Sequence, residues 1–459
     1  MTVLHVAIIG AGPAGFYAVE ELLKQTDLQV TVDLFDRLPT PYGLVRSGVA
    51  PDHQKLKAVT RQYEKIAQRA GFRFFGNVSF GKDLTLDEML AHYHYVLFST
   101  GAESDRRMGI PGEDLLGSFP ATIFVAWYNG HPDYTHLQFD LSSVESVAVV
   151  GNGNVAVDVA RVLARGVDEL AVTDIAEHAV EVLRQSAIKN IYMLGRRGPA
   201  QAAFTNPELR ELAELAGVDL VVRPQDLVLD PLSEEFLAHQ SEPMPQRNIE
   251  TLTKQIAKGE GTQGRKLRLY FLVSPVEMLG TDRVEGVRIE QNVLVKDEQG
   301  NLKARGTGEY QDLPCQMIFR SIGYKGHRLA GVPFDERAGV IPNSDGRVID
   351  LVSGNPVPRL YVAGWIKRGP TGVIGTNKAD ANATIATMLA DVQQGIVASE
   401  VNADAEAIPM LLANKQVQYV TFAGWQRIDQ HELLRGKTQG KVRNKLVTID
   451  ELLKSADVA

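Results

Sequence analysis

Apolar positions along this chain fall into two kinds of run. Short continuous stretches that end in glycine alternate with longer stretches whose apolar residues recur at helical spacing, and this alternation predicts parallel strands joined by helices. VLHVAIIGAGPAGFYAVEELLKQ reads as strand, tight turn and helix, and QVTVDLFDR as the next strand, ending at Asp36. The order recurs downstream. VESVAVV reads as a strand, GNGNVA as the turn, AVDVARVLA as a helix and NIYMLG as the following strand. DLPCQMIFRSIGY and NPVPRLYVAGWIKRGPTGVIGT each read as a strand running into a glycine turn, the second followed by a helix over KADANATIATMLADV. The expected fold class is α/β with two Rossmann-like dinucleotide-binding domains. Because the closing strand and helix fit the first domain, the second is expected as an insertion: residues 1–106, then 107–326, then 327–459 returning to the first domain. From about residue 398 the chain mixes charge with short amphipathic stretches and carries no chemical reading.

The two turns differ in a way that chemistry can use. In GAGPAG, Gly10 supplies the turn geometry, Gly12 lets backbone approach a pyrophosphate, and Gly15 lets helix and strand pack closely, with the helix N-terminus facing the phosphates. Asp36 lies 21 residues after Gly15, where an acid accepts hydrogen bonds from a ribose 2'-hydroxyl. In GNGNVA, Ala156 replaces the third glycine, and the next strand ends in Arg196 and Arg197 instead of an acid. A carboxylate repels a 2'-phosphate, whereas a pair of guanidinium groups matches it in charge and shape. The first site is therefore expected to hold a dinucleotide with a free 2'-hydroxyl, and the second to prefer NADP over NAD. Glycine-rich structural turns and a solvated arginine loop are the alternatives. Two such sites in one chain point to FAD and NADPH with hydride passing between them.

Composition narrows the classes. The chain has 459 residues, 44% hydrophobic and 23% charged, which is the range of a soluble globular protein with more than one core. A formal charge of -8 argues against a nucleic-acid surface. No apolar run approaches the roughly 18 residues of a membrane span. The opening MTVLHVAIIG carries neither a basic leader nor a small-residue cleavage site, so a cytoplasmic protein is expected. Cys315 is the only cysteine, which excludes an internal disulfide, a CxxC redox pair and a multi-thiolate metal site; no metal is expected.

Longer motifs carry a family resemblance. LPTPYGLVRSGVAPDH at 38–53, RFFGNV at 73–78, GNGNVAVDVAR at 151–161, GRRGPAQAAFT at 195–205 and GWIKRGPTGVIGTNK at 364–378 resemble, in this order, the adrenodoxin reductase type of ferredoxin-NADP reductase, most closely its bacterial forms. The likeness covers roughly residues 3 to 395, and the tail more weakly. It implies an FAD enzyme that takes hydride from NADPH and passes single electrons to an iron-sulfur ferredoxin. It also implies FAD contacts at Ala14, Asp36, Leu44, Phe80, Trp365 and Gly372-Val373-Ile374. NADP contacts are implied at Arg106, at Asn152, Gly153, Asn154 and Val155, at Arg196, Arg197 and Glu208, and at Gly372. Many members carry Glu where this chain has Asp36. His53 and Glu211 match two polar positions that the family sets near the nicotinamide and flavin, where they would tune hydride transfer. Locally, Asp52 reads as an N-cap and His53 as a first-turn residue, and an exposed histidine and a solvated acid are the alternatives. Lys254, Lys258, Arg265, Lys266 and Arg268 crowd one segment that would suit an acidic ferredoxin, with a solvated basic face as the other reading. A flavin monooxygenase, the NADPH-oxidising subunit of a larger synthase and a nucleotide-binding redox sensor without turnover are the rival functions. The particular ferredoxin, the direction of electron flow and the oligomeric state stay open.

Overall fold

The computed structural model describes residues 3–395 and 401–458, so the expected start of the tail at residue 398 lies outside the described residues. The chain divides into two compact units. One comprises Met1–Arg106, Asn129–Thr135 and Gly323–Ala459; the other comprises Arg107–Tyr128 and His136–Ile322.

The first unit is built on a seven-stranded sheet. Its order is Asn343–Ser344, Arg347–Ile349, Pro356–Val362, Tyr95–Phe98, Leu4–Ile9, Val30–Asp36 and Phe72–Gly76. From Pro356–Val362 onward all pairings are parallel. Leu4–Ile9 is buried along almost its whole length, the pattern of a strand covered on both faces, which is why it reads as a continuous apolar run. Ile9 is in register with both Phe35 and Phe98, so the strand ends align and the GAGPAG turn emerges at the carboxyl edge where the strand order reverses. The helix Pro13–Leu22 returns over the sheet and packs against the long helix Ile374–Gln393. One core cluster under these helices stacks Phe16 on Tyr63 at 4.9 Å and sets Tyr42 edge-on to Trp425 at 5.5 Å. Trp425 lies on the helix Phe422–Thr438, and Val420 pairs with Gly76, so the tail is an integral layer of this unit.

The second unit has a six-stranded parallel sheet in the order Ser118–Pro120, Met317–Arg320, Ser146–Val150, Asn190–Leu194, Arg265–Tyr270, Val218–Val222. The helix Asn154–Ala164 follows the second glycine turn. A separate antiparallel sheet of Val273–Leu279, Gly286–Lys296 and Leu302–Pro314 is an element the strand-helix alternation does not predict.

Two local expectations need correction. The stretch after Asp52 forms two short helices, Gln54–Lys57 and Thr60–Ala67, and His53, not Asp52, is the N-cap of the first. Among the described residues no helix is long and apolar enough to cross a membrane.

Candidate functional site

In the first unit, Gly10 has φ 108°, and a Cβ there would sit 2.6 Å from the Ser99 carbonyl oxygen. Only glycine fits. A Cβ on Gly15 would sit 2.2 Å from the Gly10 oxygen, so this position sets the approach of helix to strand, while Gly12 has nothing within 4 Å of its Cβ position. Ser99, which the sequence does not single out, donates its hydroxyl to the Gly10 carbonyl at 2.9 Å and fixes the turn.

Asp36 stands at the end of its strand. Its carboxylate accepts from the Ala11 N–H at 2.8 Å and the Leu38 N–H at 3.0 Å. Burial pushes this carboxyl up to about 6 against the pull of those two donors and of Arg37. Each oxygen keeps a further lone pair for a hydroxyl donor. The neighbouring Arg37 is already committed to Asp133 at 2.7 Å and Glu103 at 2.9 Å. Among the described residues, this neighbour of Asp36 is therefore not a free cation for a 2'-phosphate.

The opposite wall is the segment Tyr42–Arg46. Tyr42 donates its N–H to the Ala11 carbonyl at 2.8 Å, and a Cβ on Gly43 would lie 3.1 Å from the Gly12 Cα. Leu44 follows, 39% exposed. Arg46 reaches back to Glu432 of the tail, a residue sequence reasoning missed because its partner lies 386 positions away.

The GWIKRGPTGVIGTNKAD stretch folds onto the same turn. Gly364 donates its N–H to Asp380 at 2.5 Å, and Lys367 pairs with Asp380 at 3.1 Å. Arg368 donates to the Thr371 carbonyl and, at 2.8 Å, to Asn377. The Cβ position of Gly364 is 2.7 Å from the Ala14 Cβ, which puts Ala14 and Trp365 on one neighbourhood. Trp365 stacks on Tyr324 at 5.9 Å, and its indole N–H is buried with no acceptor among the described residues. Gly372 and Val373 are exposed, Val373 by 63%, and Ile374 opens the helix Ile374–Gln393. Phe80 packs edge-on to Phe98 at 5.2 Å. Arg106, at the border of the unit, donates its N–H to the Gly323 carbonyl and its guanidinium to the Ala338 carbonyl at 3.4 Å. His53 is half-buried.

The second unit repeats the turn. Gly151 has φ 131°, with its Cβ position 2.3 Å from the Ser321 oxygen, and Gly153 has open space. Ala156 is fully buried, so a methyl fits where the first turn needs glycine. Asn152 lies against Gly195, and Asn154 accepts from the Thr205 N–H at 3.0 Å. Val155 is in the first turn of the helix Asn154–Ala164, whose N-terminus opens toward Gly153.

Arg196 is exposed and Arg197 half-buried; among the described residues neither guanidinium has an ion-pair or hydrogen-bond partner. Burial and the neighbouring Arg196 charge both lower the pKa of Arg197, a strain that a dianion would relieve.

Glu208 and Glu211 share a different neighbour. Arg161, 0% exposed, pairs with Asp158 at 2.7 Å, Glu208 at 3.0 Å and Glu211 at 3.8 Å. The basic segment also differs from its expectation. Arg265 donates to the carbonyls of Ala164, Arg165 and Ile188, closing the C-terminal end of the helix Asn154–Ala164. Lys266 pairs with Asp219 at 2.5 Å and Arg268 with Glu260 at 3.0 Å. Lys254 and Lys258 are the exposed cations that remain.

These features fit two different nucleotides. Among the described residues, an open glycine, a two-acceptor carboxylate and an indole N–H lacking an acceptor stand in one unit, and an open glycine and two unpartnered arginines in the other.

Comparison with known proteins gives the family. Residues 4–194 match the pyridine nucleotide-disulphide oxidoreductase family. The chain is 45% identical to NADPH-ferredoxin reductase FprA of Mycobacterium tuberculosis over 98% of both chains. It is 43% identical to the mitochondrial NADPH:adrenodoxin oxidoreductase of Arabidopsis thaliana, over 99% of this chain and 95% of that one. The solved structure of Mycobacterium tuberculosis FprA in complex with NADPH superposes with a TM-score of 0.92 at 44% identity, covering 99% of this chain and 100% of that one.

Proposed function

The chain belongs to the NADPH-ferredoxin reductases of the adrenodoxin reductase type, and from that premise we propose which of its residues serve each cofactor. It is an FAD-dependent oxidoreductase that moves electrons from NADPH to a ferredoxin. The flavin, when bound, accepts a hydride and releases electrons singly, which is how a two-electron donor serves a one-electron acceptor.

The observation that carries the assignment is the opposite chemistry beside two similar turns, Asp36 in one and Arg196 with Arg197 in the other. Gly10, Gly12 and Gly15 with Ala14 shape the FAD pyrophosphate cradle, and Asp36 accepts the adenosine ribose hydroxyls. Trp365 offers its N–H, and Leu44, Phe80 and the Gly372-Val373-Ile374 backbone complete the enclosure that keeps water out. On the NADP side Asn152, Gly153, Asn154 and Val155 receive the pyrophosphate. Arg196 and Arg197 take the 2'-phosphate, and Arg106 with Gly372 supplies further contacts. Glu208 contributes through its pairing with Arg161. His53 and Glu211 tune hydride transfer and hold no obligatory proton. The domains are read as 1–106 and 327–459 for FAD and 107–326 for NADP, the protein as cytoplasmic, and its partner as an iron-sulfur ferredoxin.

The test is anaerobic reduction of the FAD-loaded protein by NADPH, followed by cytochrome c reduction with and without ferredoxin. Bleaching of the flavin band and stimulation by ferredoxin are expected. Oxygen uptake in step with an organic substrate would favour a monooxygenase, and absence of turnover a sensor.

A further inference from the structure

The arginine turn is held by an element that the Rossmann architecture does not require. All three carbonyls of Gly195, Arg196 and Arg197 accept hydrogen bonds from the antiparallel sheet region, two from Leu272 and Val273 where it opens and one from Asn292 in its second strand. Val273 donates its N–H to the Gly195 oxygen at 3.0 Å, Leu272 its N–H to the Arg197 oxygen at 3.1 Å, and Asn292 its side-chain amide to the Arg196 oxygen at 3.0 Å. The Gly195 N–H in turn reaches the Tyr270 carbonyl at 2.8 Å.

Two of these bonds are ordinary backbone pairings, whereas the central one depends on a single side chain. Asn292 is 3% exposed, and its amide also donates to the Ser274 hydroxyl at 2.8 Å while its N–H reaches the Leu272 carbonyl at 2.7 Å. It sits where the register of Gly286–Lys296 against Leu302–Pro314 shifts. Leu272 has φ 53°, an uncommon conformation for leucine, and Gln291 donates to its carbonyl at 2.9 Å. The backbone of the arginine turn is thereby tied to Leu272, Val273 and Asn292, while among the described residues neither guanidinium has a protein partner.

Two long cations side by side repel one another and have many rotamers. Their use in recognising a dianion requires their Cα positions to be set in advance, since each group that must be ordered on binding weakens it. We propose that Asn292 is a positioning residue for discrimination between NADPH and NADH, acting through the Arg196 carbonyl. This rests on the reading of Arg196 and Arg197 as the 2'-phosphate site.

The experiment measures NADP+ and NAD+ dissociation constants by titration of the FAD-loaded protein, with kcat and KM for NADPH and NADH alongside. In Asn292→Ala the NADP+ dissociation constant is expected to rise about tenfold, about 1.4 kcal/mol, with that of NAD+ within about twofold and kcat at saturating NADPH retained. Asn292→Leu, which fills the volume without a donor, should read the same and serves if the alanine variant does not fold. Ser274→Ala removes the amide's other acceptor and should keep wild-type discrimination. Equal weakening of both nucleotides, or no change in either, overturns the proposal while an Arg196→Ala, Arg197→Ala variant still loses discrimination. If that double variant keeps its preference for NADP+, the site reading itself is wrong.

Discussion

Arg46 and Glu432, separated by 386 positions, form a two-pronged ion pair, with Nη1 and Nη2 donating to the two carboxylate oxygens at 2.9 and 2.6 Å. Glu432 is 0% exposed, and it also takes Arg443 at 2.8 Å and the Leu446 N–H at 2.9 Å. The Arg46 guanidinium lies 5.2 Å from the Trp425 ring centre, and Lys445 donates to the Arg46 carbonyl at 3.1 Å. The tail therefore grips the segment whose Tyr42 and Gly43 touch the first glycine turn.

Removing the Glu432 carboxylate should be expensive, because the half-buried Arg46 would lose its counter-charge and the half-buried Arg443 would keep only Asp429, at 2.5 Å. Glu432→Ala is expected to lower stability by about 3 to 5 kcal/mol. Burial pushes the Glu432 carboxyl up, but Arg46 and Arg443 outweigh it and hold it below its ordinary value. A depressed folded value means that the contribution is complete above the unfolded value of about 4.3 and fades as pH falls below it. Urea midpoints of wild type and Glu432→Gln should differ at pH 7 and converge on the acid side. A gap unchanged at pH 3 would show that packing, not charge, carries the effect.

Asp36 has the opposite sign. With its carboxyl raised to about 6, the apoprotein loses stability as pH rises from the ordinary aspartate value through about 6, since the folded state holds a proton that the unfolded state has released. The ribose hydroxyls require acceptors, so FAD should bind the ionised form more tightly. FAD affinity of the apoprotein, followed by flavin fluorescence, should therefore weaken as pH falls through about 6, and Asp36→Asn should flatten that dependence. A pH-independent affinity in wild type would remove Asp36 from the ribose contact.

The turns and their parallel strands were legible because their causes are local. Gly10 and Gly151 meet carbonyls at the strand ends, and the apolar runs report burial on both faces. What lay hidden depends on distant partners. Arg265 looks like a surface cation in sequence, yet its acceptors are carbonyls 77 to 101 positions earlier. Asn292 shows nothing but an alternating strand pattern around it, and Glu432 has no local signal that it is buried. The pair of arginines was readable as chemistry only because the preceding strand placed it.

The basic segment divides between fold and surface. Arg265→Ser should lower the melting temperature by opening a helix end, with no specific effect on ferredoxin. Lys254 and Lys258, one turn apart on the helix Met244–Lys258, are exposed and carry what remains of the patch. Replacing both with Ser should raise the KM for ferredoxin a few-fold at low ionic strength and leave NADPH-ferricyanide activity unchanged, the difference vanishing in salt. Equal ferredoxin kinetics at low salt would return them to a solvated face.

His53 and Glu211 belong to different units, and Glu211 is 3.8 Å from Arg161. Hydride transfer has no proton to move, so each should adjust the barrier without being essential. His53→Gln and Glu211→Gln are expected to slow flavin reduction by about tenfold, roughly 1.4 kcal/mol. Stopped-flow reduction by NADPH decides it, and rates equal to wild type in both would make one a helix cap and the other a partner of Arg161.

Trp365 makes the prediction that separates a ligand-binding group from a core aromatic. Its indole N–H is buried without an acceptor among the described residues, while its ring stacks on Tyr324. A buried donor left unpaired is unfavourable by about 1 to 3 kcal/mol, so the apoprotein holds Trp365 at a disadvantage that a cofactor acceptor would remove. Trp365→Phe keeps much of the ring and deletes the donor. The apoprotein should be at least as stable as wild type in urea. FAD binding should weaken by about fivefold to tenfold, the equivalent of one net hydrogen bond. Packing alone predicts the reverse pattern: a smaller ring would lower apoprotein stability and leave FAD affinity within experimental error. Measuring both quantities on the same variant distinguishes the two, because the hydrogen bond couples to the cofactor and the stacking couples to the fold.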